Sequence, residues 1–115
     1  YTFDTGVQAA DNLLSKTNRP TAIFAGNDEM AIGIYTSARK AGLSIPEDLS
    51  IVGFDDTPMA SLIWPQLTTV RLPIREMGKA AAKRLLDQLS GKSVKRTQQF
   101  IPEIVVRHST ARASN

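Results

Sequence analysis

The sequence has no cysteine and a single histidine. The first absence excludes a disulfide scaffold and a thiol nucleophile, and it fits a reducing compartment without fixing one. The second leaves a hydrolytic triad with one candidate base, His108, which stands in the tail beyond the last apolar run, an arrangement unsuited to that chemistry. No apolar run approaches the roughly 18 residues that a membrane-spanning helix needs. The opening YTFDTG has no basic segment followed by an apolar one, so neither a span nor a signal peptide is predicted. Glycine is missing where phosphate binding would require it: Gly26 and Gly33 bracket a helix start without the lysine of a P-loop or the three-glycine spacing of a dinucleotide site. The chain opens on Tyr1 rather than methionine, and a piece of a longer protein is expected.

What remains is ordinary globular material. The 115 residues, 42% hydrophobic and 22% charged, suffice for one domain with a real core, and they carry neither a low-complexity tract nor a repeat. The net charge is +3, with Lys and Arg dispersed apart from KSVKR at 92–96 and the tail, which reads as a solvated surface. This segment itself is not expected to bind DNA.

Apolar positions alternate between two periods. From Asp4 to Lys16, Val7, Ala10, Leu13 and Leu14 fall at helical spacing, with Asp4 or Thr5 as the cap. TAIFAG, bounded by Pro20 and Gly26, is too compact for a helix and reads as a buried strand. NDEMAIGIYTSARKAG returns to helical spacing through Met30, Ile34, Ala38 and Ala41 and stops at Gly42. SIVGF is a second buried strand, TPMASLIW a short helical or irregular piece, and LTTVRL a third strand. After Pro73 an amphipathic helix turns Ile74, Met77, Gly78, Ala81, Leu85 and Leu89 inward and ends at Gly91. QQFIP and EIVVR read as short strands, and the polar residues from His108 onward as a frayed tail. Strands buried on both faces and separated by helices predict an α/β chain with a parallel sheet.

Ligands of such sheets sit outside the carboxyl ends of the strands. Two such ends are polar, AGND and GFDD, so Asn27 and Asp55 are expected to share a crevice. Asp55 and Asp56 are adjacent, would point to opposite faces of an extended strand, and cannot act as a paired acid and base. No loop has calcium-site spacing, and neither a metal nor a cofactor is predicted. Helix capping accounts for Asp28 and for Asp56 or Thr57. Asn27, a donor and acceptor, facing Asp55, an acceptor, suits a polyhydroxylated or heterocyclic small molecule, although capping alone is an equally open reading of Asn27.

The segments PTAIFAGNDEMAIG, IPEDLSIVGFDD, LTTV and VVRHST, in that order, resemble the effector-binding region of the LacI/GalR family of bacterial transcription regulators, over nearly the whole chain. The resemblance implies a periplasmic-binding-protein-like, Rossmann-like three-layer α/β/α fold, incomplete here, and a non-enzymatic cytoplasmic switch whose two subdomains close on a small effector such as a sugar. Operator DNA would be bound through an upstream helix-turn-helix absent from this chain. Residues 1–71 and 102–110 would belong to the C-terminal subdomain and 72–101 to the N-terminal one. Asn27 and Asp55 match positions that hydrogen-bond the effector, and Tyr1 matches one where the family often places an aromatic ring. An effector-gripping arginine would lie upstream, and Leu72 and Ile74 depart from residues some members use at the inter-subdomain wall, which leaves the effector's identity open. The alternative is a periplasmic sugar-binding receptor of a transport system, which shares the fold and often an NDEMA-like segment; a sugar-active enzyme is a more distant one.

Ile32 and Tyr35 lie off the apolar stripe of their helix, and Leu62, Ile63 and Trp64 form an apolar cluster in SLIW. Clustered apolar residues outside a core mark an interface, and in the family the corresponding surfaces pair two protomers. A homodimer built around Ile32, Leu62, Ile63 and Trp64 is expected, against the alternative that these side chains fill the domain's own core.

Overall fold

The computed structural model describes residues 1–95 and 97–113. Two compact units form: Tyr1–Arg71 together with the segment from Ile104 onward, and Leu72–Glu103. The first holds α1 (Phe3–Leu14), β1 (Ala22–Phe24), α2 (Asp28–Lys40), β2 (Ser50–Phe54), α3 (Pro58–Leu62) and β3 (Thr68–Arg71). With β4 (Glu103–Val105) the sheet order is β1-β2-β3-β4. β1, β2 and β3 run parallel, with Ile23 opposite Ile51 and Gly53 opposite Thr69, as helical crossovers between successive strands require.

α1 begins earlier than its acidic residues indicated. Thr2 is the N-cap, and Thr5 reciprocates from the first turn, donating and accepting between the two side chains and backbone amides at 3.0 and 3.3 Å. α1 then lies backbone to backbone on α2. A Cβ at Gly6 would run into the Met30 carbonyl and one at Gly33 into the Phe3 carbonyl, so both glycines are needed for the approach. The Ser37 hydroxyl donates to the Val7 carbonyl at 3.3 Å across the same seam.

The core sits where the sheet meets α2. Ile51 packs with Ile34, Tyr35 and Ala38 of α2 and with Leu49 and Leu67. Leu49, Ile51 and Leu67 are fully buried, each contributing roughly 1.5–3 kcal/mol by area. Burial on both faces holds in β3, whose adjacent Thr68 and Thr69 are both buried, but not in β1, which alternates exposed and half-buried residues with Phe24 65% exposed, nor in β2, where only Ile51 and Gly53 are buried. Phe24 instead meets Phe54 edge to face, ring centroids 6.5 Å apart. Tyr35, off the expected stripe of α2, is core, whereas Ala41 is exposed.

The tail is not frayed through Ala111. Ser109 is fully buried, accepts from the Thr68 amide at 2.8 Å and donates to the Ile51 carbonyl, while its own carbonyl accepts the Ile51 amide at 2.8 Å. Short polar side chains tie it across β2 and β3, which hydropathy does not register. The last two residues lie outside the described residues.

The second unit consists of α4 (Ile74–Leu89) and an irregular segment. The helix forms as its spacing predicts, but no residue of it is buried, and the stripe expected to face inward is open, with Ile74 at 61% and Leu89 at 77% exposure. A single helix cannot cover its own stripe. QQFIP forms no strand; the place beside β3 is taken by β4, and a strand needs a neighbour to satisfy its backbone.

Candidate functional site

Parallel pairing brings the carboxyl ends of β1 and β2 side by side. Asn27, Asp28, Glu29 and Ile32 of the α2 start and Asp55, Thr57 and Met59 beyond β2 line one cleft of about 420 Å³. Asn27 and Asp55 are therefore brought together. Tyr1 is 84% exposed and does not line the cleft, but its ring lies on Gly26, where a Cβ would meet it at 2.6 Å, and its carbonyl accepts from Asn27 Nδ2 at 3.4 Å.

The capping assignments change. Asn27 is the N-cap of α2, its Oδ1 accepting the Met30 amide at 2.8 Å. Asp28 does not cap. It is fully buried and accepts from the Thr57 amide at 2.7 Å, the Thr57 hydroxyl at 3.0 Å and the Thr69 hydroxyl at 2.6 Å. Thr57 occupies the N-cap position of α3 without a side-chain cap bond.

Asp55 and Asp56 both have left-handed backbone, φ 110° and 51°, a conformation that costs a non-glycine residue on the order of 1–3 kcal/mol. The turn is held by its neighbours. The Asp55 amide donates to the Val70 carbonyl at 2.8 Å. Asp56 Oδ1 takes Arg107 Nη2 at 2.6 Å, and Oδ2 takes Arg71 through Nε and Nη2, both at 2.6 Å. Burial would raise the Asp56 carboxyl, but the hydrogen bonds from Arg107 and Arg71, with their positive charges, outweigh it and hold the group below the usual carboxylate range. Asp55 is the opposite case: its side chain is exposed, and among the described residues no donor reaches its carboxylate.

Of the residues expected at a protomer interface, Leu62 and Trp64 are 73% and 69% exposed, Ile63 packs against the core, and Ile32 lines the cleft. The SLIW loop is anchored from below: Tyr35 donates to the Pro65 carbonyl at 2.8 Å, and Arg39 donates to the Trp64 carbonyl while lying over the Tyr35 ring. Burial pushes the Tyr35 hydroxyl up to about 12, against the lowering influence of Ser109 and Arg39. The Trp64 ring leans on His108 with centroids 5.7 Å apart.

Sequence reasoning missed Asp28, Thr69, Arg71 and Arg107. A buried carboxylate and its hydroxyl donors are far apart in sequence, and only the strand register joins them. The one legible signal was VVRHST itself, quoted as a motif without a role for its arginine.

A parallel sheet crossed by helices, with a polar cleft at its carboxyl ends, defines the class as the periplasmic-binding-protein-like fold. The chain belongs to the periplasmic binding protein-like domain family, whose pattern matches residues 1–110. It is 43% identical over 114 residues to the HTH-type transcriptional regulator MalR of Streptomyces coelicolor, a match covering 98% of this chain and 33% of that one. It superposes with TM-score 0.87 and 37% identity on a LacI family transcriptional regulator from Enterococcus faecium with bound ribose, covering 99% of this chain and 42% of that one. With the lac repressor dimer bound to operator and the anti-inducer ONPF the TM-score is 0.91 at 33% identity, covering 96% and 39%. The chain spans about a third of the length of the curated relatives it matches. These are regulators of the kind its motifs resemble.

Proposed function

We propose that this chain is part of the effector-binding domain of a LacI-type transcription regulator, a non-enzymatic cytoplasmic switch whose effector is a sugar or related metabolite. One observation carries the reading: Asp55, held in a strained turn with no donor among the described residues on its carboxylate, lines the same cleft as Asn27. Strain kept beside a cleft is a mark of function. In this reading Tyr1–Arg71 with the segment from Ile104 is the C-terminal subdomain, and Leu72–Glu103 a segment of the N-terminal one. The effector binds one arrangement of the subdomains better than the other, and that difference alters operator affinity through an upstream helix-turn-helix. Tyr1 stands outside the lining with its ring on Gly26, and its part in the site is to hold Asn27 through its carbonyl. Two protomers pair through Leu62 and Trp64, with Ile63 beneath them and Ile32 at the margin, which sets two DNA modules against a two-fold operator.

Calorimetry on the full-length protein with D-ribose, D-glucose and sucrose tests the site. Asp55→Ala is expected to weaken the sugar that binds about tenfold to a hundredfold, the worth of hydrogen bonds lost from a buried polar ligand. Unchanged affinity removes Asp55 from the site, and a wild-type protein indifferent to neutral sugars removes the sugar reading.

A further inference from the structure

Asp28 lies at the bottom of the cleft and cannot be an exposed ligand-binding arm: it is fully buried, and its oxygens are occupied by donors from two other segments. Among the described residues no cation pairs with it. A buried, unpaired carboxylate is costly unless well hydrogen-bonded, so what these bonds hold together matters. Oδ2 takes both the amide and the hydroxyl of Thr57, two residues past Asp55. Oδ1 takes the Thr69 hydroxyl of β3. Thr69 Oγ1 in turn receives the Asp56 amide at 3.4 Å. An amide can only donate, so the Thr69 oxygen accepts there, and its single proton goes to the Asp28 carboxylate, the acceptor at 2.6 Å. The direction of the relay is fixed, Asp56 N–H to Thr69 O–H to Asp28, and only an acceptor can end it. Gly53 makes room, since a Cβ on it would strike Asp28 Oδ1.

We infer that Asp28 is the positioning residue of the effector cleft: it clamps the strained turn carrying Asp55 to the first turn of α2, and so fixes the spacing between Asp55 and the adjacent cap residue Asn27. The inference rests on the proposed effector site and deepens it. An amide at position 28 would turn a donor toward Thr69, whose oxygen would then face two donors, with its own proton left without an acceptor in a buried place.

The test uses the full-length protein and four variants: Asp28→Asn, Thr69→Val, Thr69→Ser and Asp55→Ala. Calorimetry with D-ribose, D-glucose and sucrose reads affinity, and hydrogen exchange by mass spectrometry reads residues 53–58. Asp28→Asn and Thr69→Val are expected to weaken sugar binding about tenfold or more and to speed exchange over the turn, in chains that still fold but melt lower; Thr69→Ser, which restores the hydroxyl, should recover the melting and stay within about threefold of wild-type affinity. A general loss of packing would not be rescued by serine in this way. Folded Thr69→Val with wild-type affinity overturns the inference; if Asp55→Ala has meanwhile lost binding, the cleft reading survives alone, and if Asp55→Ala also binds normally both fall. Should Asp28→Asn fail to fold, the two Thr69 variants decide. Should none of the sugars bind wild type, exchange decides, and unchanged protection over 53–58 in Thr69→Val overturns the clamp.

Discussion

Asp55 and Asp56 share a left-handed backbone and diverge in what their carboxylates meet. Asp56 is spent on structure, its side chain 8% exposed between Arg71 and Arg107. Because its folded value is lowered, the unfolded chain binds the proton more readily, so this contribution to stability is complete above the unfolded carboxyl value near ~3.9 and fades as pH falls through the lower folded value. Asp56→Asn is expected to cost on the order of 2 kcal/mol at neutral pH, since Arg107 would lose its counter-charge while half buried. Urea unfolding at neutral pH and again in strong acid measures it; a difference between the proteins that does not shrink in acid contradicts the ion-pair account. Asp55 was legible in the sequence because an apolar run ending in two acids demands an explanation. Its division of labour with Asp56 was not, because the arginines that decide it are distant in sequence and polar surface residues by composition.

At the scale of the element, periodicity located the helices and all four strands, added one in QQFIP that does not form, and misjudged their surroundings. α2 was legible from Asn27 to Gly42 because its cap, stripe and stop agree; Gly42 follows it at φ 72° with its amide on the Arg39 carbonyl. Burial of β1 was misread because a continuous apolar run states what a strand could bury, while Phe24 shows what is there to cover it. The seam between α1 and α2 gave no hydropathic signal either, since it is made by absent side chains. Gly33→Ala tests it. In an ordinary helix this change stabilises by about 1 kcal/mol; here it should destabilise by roughly 1–3 kcal/mol, because the new methyl meets the Phe3 carbonyl. A raised melting temperature would show that the helices are not in backbone contact.

At the scale of the molecule, the apolar surfaces that stand open among the described residues include the stripe of α4 and Leu62 with Trp64 on the first unit. The second has its loop fastened by Tyr35 and Arg39, and a preformed patch of that kind would lose little freedom to a partner that covered it. Trp64→Glu is expected to convert the full-length regulator to a folded monomer in sedimentation velocity. A dimer that persists moves the interface elsewhere, and unfolding would mean that the ring supports its own domain through His108. No helix among the described residues is long and apolar enough to cross a membrane.

The cap of α2 has one more consequence. Asn27 Oδ1 accepts the Met30 amide and Nδ2 donates to the Tyr1 carbonyl, so toward a guest this side chain keeps one hydrogen and one lone pair, while Asp55 presents an acceptor. A hydroxyl satisfies either side by rotating, whereas a phosphate or carboxylate meets a like charge at Asp55 wherever it also reaches Asn27. An effector site built on this pair would favour a neutral hydroxylated guest over an anionic one.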